Sequence, residues 1–192
     1  MEKRDIRNGI IVGFFVGLLA LPILKNLEIS LGYFLLLPIG MAILAVIGLC
    51  VAQWLVKYIS FIFELAKFVM VGALNAFIDL GVLGLLLWLS GSKSITYYAI
   101  FKFISFTCHA INSYFWNKYW TFKKHGGPYG KEFGRFYLVA GVGAIINVGV
   151  ATLLVRFIGG SNLFISVIFP IIGILIAAIW DYLIYKFFVF KK

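Results

Sequence analysis

Six stretches of this chain are apolar for long enough to cross a bilayer, and the turns between them are short. Lipid offers no partner for exposed backbone N–H and C=O groups, so such a stretch must cross as a helix of about 20 residues. The stretches are residues 8–24, 31–58, 67–90, 95–119, 136–158 and 163–188. The expected fold class is therefore an all-α polytopic membrane protein with six transmembrane helices. Composition agrees: 63% of residues are hydrophobic and 12% charged, against about 25% charged in soluble domains. The first stretch resembles a secretory signal, but Pro22 and Lys25 stand where a small-residue cleavage site would be, so it reads as a retained span.

The connections are read as follows. Residues 25–30 form a turn, and Pro38 is expected to kink the second span near its outer end. The segment SFIFELA, residues 60–66, reads as an interfacial connector. Gly91-Ser92-Lys93-Ser94 and Gly159-Gly160-Ser161-Asn162 read as tight turns, and KKHGGPYGKEFGR, from Lys123 to Arg135, as the longest polar loop.

The net charge of +10 invites a nucleic-acid reading. The basic residues, however, sit beside apolar spans, the pattern of membrane orientation and contact with anionic lipids. No nucleic-acid partner is expected. Of the 17 Lys and Arg residues, only Lys25, Lys93 and Arg156 fall on one side, and Lys102 lies within a span. The rest, from Lys3, Arg4 and Arg7 to Lys191 and Lys192, share the other side. By the positive-inside rule both termini are cytoplasmic, at the cytoplasmic membrane. Cys50 and Cys108 both fall in spans and imply neither disulfide nor metal.

An internal repeat divides the chain. A shift of 68 residues lays residues 68–124 over 136–192 without a gap, matching Gly81 with Gly149, Tyr114 with Tyr182 and Lys118 with Lys186. Each unit is a hairpin of two spans, so the copies enter the membrane in the same sense and form a parallel repeat. Residues 1–66 stand outside it as a two-helix extension.

The polar residues at membrane depth are the candidates for function. Lys102, Ser105, His109, Asn112 and Trp116 recur at intervals of three and four, which places them on one helix face. Asp79 lies near the middle of the third span at about the same depth as His109, with Asn75 one turn away on its own face. An intramembrane carboxylate usually faces a partner or a wet cavity; the plain alternative is a lock that fastens the hairpin. Lys102 either pairs with Asp79 or snorkels to the outer interface. Asn117, Lys118, Trp120, Lys67, Arg135 and Lys186 gather at the cytoplasmic rim, either as a solvated positive-inside border or as a pocket for a lipid phosphate. Asp181 lies within reach of Lys186. No catalytic triad order, metal-ligand spacing or phosphate-cradling loop is present, so no enzyme activity, metal or cofactor is expected.

The series VGALNAFIDLGV, NSYFWNKYWTFKK, RFYLVAGVGAIINVGV and DYLIYKFFVFKK resembles the GtrA-like family over residues 67–192. The signature is carried by Asn112, Asn117, Lys118, Trp120 and Phe122, with Gly72, Asn75 and Asp79 in support. The second repeat departs from it, with Asn147 in place of Asp79 and Trp180 in place of Asn112. The resemblance implies a four-helix domain that moves a polyprenyl-phosphate-linked sugar across the cytoplasmic membrane for cell-surface glycan modification. The partner would be a membrane-associated glycosyltransferase. On that reading Asn75, Asp79, His109, Asn112 and Asn117 line a path, while Lys118, Lys186 and Arg135 hold the phosphate. Two other classes stay open: a scaffold for the glycosyltransferase and a small exporter of hydrophobic cations. With so few spans, a homo-oligomer would help to enclose a path.

Overall fold

The computed structural model describes residues 1–26, 36–91, 94–159 and 164–191. The expected turns within 27–30, 92–93 and 160–162, and the outer residues of the second span, lie outside them. All regular structure among the described residues is helical: α1 Lys3–Asn26, α2 Leu37–Leu55, α3 Ile62–Ser90, α4 Ile95–Trp116, α5 Tyr129–Ile158 and α6 Phe169–Ile184. Three five-residue π-helical turns join them, Asn117–Thr121 after α4 and Phe164–Ile168 and Tyr185–Val189 on either side of α6.

Five of these segments are long and apolar enough to cross a membrane: Lys3–Pro22, Leu37–Leu55, Ile62–Ser90, Tyr129–Ile158 and Phe169–Val189. The chain is thus a multi-pass membrane protein. Helix α4 is outside this set for its polarity, not its length. Its 22 residues span about 33 Å at 1.5 Å each, but Lys102, His109 and Asn112 lower its hydropathy.

Three boundaries differ from the sequence reading. Pro38 sits in the first turn of α2 and starts the helix instead of kinking it, because its missing N–H is one the first turn would leave unbonded. The expected connector 60–66 is mostly helix: Ile62 begins α3, which runs unbroken to Ser90. The polar loop is shorter than expected, since α5 already begins at Tyr129 and buries Glu132 in its first turn.

The fold comprises two compact units, Met1–Lys123 and Lys124–Lys192. In the first, α1 and α2 pack antiparallel through a row of glycines on α1. A β-carbon on Gly9 would lie 2.6 Å from Leu49 Cδ1, and one on Gly17 2.6 Å from Pro38 Cα. At Gly13 it would run into the Met41 carbonyl oxygen and the Ala42 backbone. This four-residue spacing of small side chains is how membrane helices bring their backbones close. The other side of α1 meets α3 and the end of α4, where Val12, Val16, Leu49, Val71, Leu74 and Trp120 form the core.

The second unit is the α5–α6 hairpin, packed by the same device. A β-carbon on Gly143 would lie 2.5 Å from Asp181 Oδ1, and one on Gly173 2.5 Å from the Asn147 carbonyl oxygen. At one end the Phe136 ring stacks on Tyr185 with centroids 4.2 Å apart, and Phe190 closes the cluster at 5.9 Å from Phe136.

Candidate functional site

Helices α3 and α4 present polar side chains to each other at successive levels. On α3 Asn75 and Asp79 lie one turn apart on one face, and Lys67 lies eight residues before Asn75 toward the helix start; from Lys67 to Asp79 the helix rises about 18 Å. On α4 and its π-helical turn the facing positions are Lys102, Ser105, His109, Asn112 and Trp120.

At the first level Asp79 is the acceptor for several donors. Lys102 Nζ makes an ion pair and hydrogen bond with Oδ2. Ser105 Oγ donates to Oδ1 at 2.6 Å, and His109 Nδ1 stands 3.7 Å from the same oxygen. Convergent donors are what an ionised carboxylate takes up. The choice left open for Lys102 thus falls to the pair with Asp79, although the Lys102 side chain stays 44% exposed and that of Asp79 16%. Phe106 closes on the His109 ring edge-to-face at 4.9 Å. One level on, Asn112 Nδ2 donates to Asn75 Oδ1 at 2.8 Å.

The third level draws in the N-terminus. Lys67 Nζ lies 2.7 Å from Asp5 Oδ1, with side chains only 3% and 2% exposed. Trp120 Nε1 donates to the same Asp5 oxygen at 3.0 Å, and the Phe63 ring lies 4.3 Å from the ammonium. A buried ion pair of this kind is bearable only when other hydrogen bonds complete it, and Trp120 supplies one. At the surface beside it Lys123 Nζ reaches Glu2 at 2.5 Å and holds that carboxyl below its usual range. Sequence reading placed Lys67 and Trp120 at the rim but did not single out Asp5. The available signal was an acidic residue among cations in the first turn of α1.

The π-helical turn after α4 buries Asn117, Lys118, Trp120 and Thr121 together. Asn117 Nδ2 donates to Ser113 Oγ at 3.2 Å. Lys118 is completely buried, its ammonium donating to Tyr114 Oη at 3.0 Å. The structure therefore places Lys118 inside the helix packing and not on the open rim.

The remaining candidates belong to the second unit. Lys186 Nζ donates to Tyr182 Oη at 3.1 Å. Asp181 does not pair with it and lies against Gly143. Arg135 is exposed, with its guanidinium 5.4 Å from the Phe188 ring centre. Contacts 68 residues apart recur in the two units: Ser105 on Asp79 and Gly173 on Asn147, Lys118 on Tyr114 and Lys186 on Tyr182. The π-helical turns after α4 and after α6 close with the same 2.8 Å backbone bond, Phe122 N–H to Asn117 C=O and Phe190 N–H to Tyr185 C=O.

Helices of this length and apolarity, joined by intramembrane polar contacts, define a polytopic helical membrane protein. A family model described as GtrA/DPMS, transmembrane domain, matches residues 67–190. The chain belongs to that family. Comparisons with curated proteins and with solved structures give no match.

Proposed function

We propose that this protein moves a polyprenyl-phosphate-linked sugar across the cytoplasmic membrane for cell-surface glycan modification. The observation that carries this reading is the α3–α4 polar ladder, set inside membrane-length helices and partly open at Lys102. A sugar crossing hydrocarbon needs hydrogen-bonding groups at depth, where an unmet polar group costs several kcal/mol, and Asp79, His109, Asn75 and Asn112 supply donors and acceptors there. Membership of the family supports the substrate class. Residues 67–192 would form the transporting domain and 1–66 an extension that completes it. The recurring contacts 68 residues apart support a parallel repeat. With α4 counted as a span, six spans and two cytoplasmic termini follow. No covalent chemistry is assigned, and the partner is the membrane glycosyltransferase that makes the substrate.

The test is transbilayer movement of a polyprenyl-phosphate sugar in liposomes holding the purified chain, with Asp79→Asn run beside wild type at equal protein levels. Movement in wild type that falls in the variant is expected. Movement absent from wild type would overturn the reading. A second reading, a scaffold for the glycosyltransferase, draws on the mutual satisfaction of Asn75 with Asn112 and of Asp79 with Lys102. It predicts that the enzyme co-purifies while no lipid moves. An exporter of hydrophobic cations is weaker, because the carboxylate it would use already holds an ammonium.

A further inference from the structure

We propose that the cleft between the start of α1 and the end of α4 binds the phosphate headgroup of a single lipid, with Arg4 and Arg7 as its ligands. This rests on the lipid-linked substrate proposed above, and it places the phosphate on residues outside the family match at 67–190.

The cleft measures about 580 Å³, within the range of small-molecule sites and larger than an inorganic phosphate needs. Its α1 wall is Arg4, Arg7 and Asn8, spaced so that all three share a face. Its α4 wall is aromatic: Phe115 stacks on Tyr119 at 6.3 Å, and Trp116 meets Trp120 edge-to-face at 5.5 Å. Among the described residues no acidic side chain lines it. A cationic mouth above an aromatic wall suits an anion carried on an apolar chain, and guanidinium groups bind phosphate oxygens in bidentate fashion.

The state of the neighbouring cations points the same way. Lys67 is committed to Asp5, Lys123 to Glu2 and Lys118 to Tyr114. Among the described residues Arg7 is exposed and makes no such bond, while Arg4 pairs with Glu2 at 3.5 Å and leaves its Nε unbonded. The Asp5–Lys67–Trp120 contact pins α1 against α3 and α4. The backbone that carries the two arginines is therefore tied in beside the cleft, which limits the ordering that binding must impose. Asn112, bonded to Asn75, lines the same cleft and leads from the phosphate toward the polar ladder.

Native mass spectrometry of the purified full chain would count bound polyprenyl monophosphate, with polyprenol, phosphatidylglycerol and inorganic phosphate as competitors. Wild type should prefer the polyprenyl phosphate to polyprenol by about tenfold or more, and Arg4→Gln/Arg7→Gln should lose that preference. Lys131→Gln, an exposed cation of the second unit, should keep it. If the double variant melts early, Arg7→Gln alone carries the test, since among the described residues Arg7 holds no ion pair or side-chain hydrogen bond. Full preference in the arginine variants would overturn the site. So would equal binding of phosphatidylglycerol, which would mean a general anionic surface, or displacement by inorganic phosphate at equal concentration. Arginine-dependent binding without translocation would uphold this site and defeat the transport reading. Translocation indifferent to the arginines would do the reverse.

Discussion

At the scale of single residues, the contact with most at stake is Asp5 with Lys67, because both side chains are almost wholly buried. Removing one partner strands a charge, which costs about 3–5 kcal/mol, whereas an apolar pair of similar volume is often neutral. Asp5→Leu and Lys67→Met should each lower the melting temperature of the detergent-solubilised protein sharply. The double variant should recover most of the loss. Additive losses in the double variant would show that the pair is not coupled. Asp79 differs in kind, for its partner Lys102 remains 44% exposed. Interhelical polar contacts in membranes are worth about 0.6 kcal/mol on average, so Asp79→Asn should reduce transport far more than it reduces stability. Lys102, His109 and Asn112 were legible as one face of α4, and Asn75 with Asp79 as one face of α3, from helical spacing alone. Whether Lys102 turned inward or outward was not legible, because both orientations satisfy an ammonium and only the position of Asp79 across the helix pair decides.

At the scale of elements, the α1–α2 packing depends on particular glycines. Gly13→Ala would drive a methyl group into the Met41 carbonyl and the Ala42 backbone, and overpacking of this sort costs about 1–3 kcal/mol. Gly48→Ala on α2 meets nothing within 4 Å and should be neutral or raise stability by up to about 1 kcal/mol through helix propensity. Thermal melts of the two variants should therefore move apart, and equal shifts would mean that α1 and α2 do not approach as closely as described. The spacing Gly9, Gly13, Gly17 was written plainly in the sequence. Its partner was not, since a small-residue face names no helix to receive it. The π-helical turns were not legible either: Asn117–Thr121 and Tyr185–Val189 carry side chains that an ordinary α-helix also accommodates.

At the scale of the whole molecule, the number of crossings decides topology. Six spans place both termini on one side, and the five strongly apolar helices alone would place them on opposite sides. Reporter fusions at Met1 and Lys191 should both report the cytoplasm if α4 crosses. Opposite reports would mean that it does not. Helix α4 is the critical case because the polar residues that weaken its hydropathy are the ones that α3 neutralises. A window of hydropathy counts each side chain as though it faced lipid, whereas Lys102, Ser105 and Asn112 bond to the neighbouring helix.

The sequence by itself determined the class of molecule, its family and the face of α4 that carries polarity. Those properties follow from local composition and helical period, which need no knowledge of neighbours. Tertiary structure decided which polar groups are spent on one another and which stay open. Lys118 and Lys67 read as rim cations in the chain, yet they are buried on Tyr114 and Asp5, while Arg4 and Arg7 border the cleft. Charge is a property of a residue, but its availability depends on what the fold places within hydrogen-bonding distance.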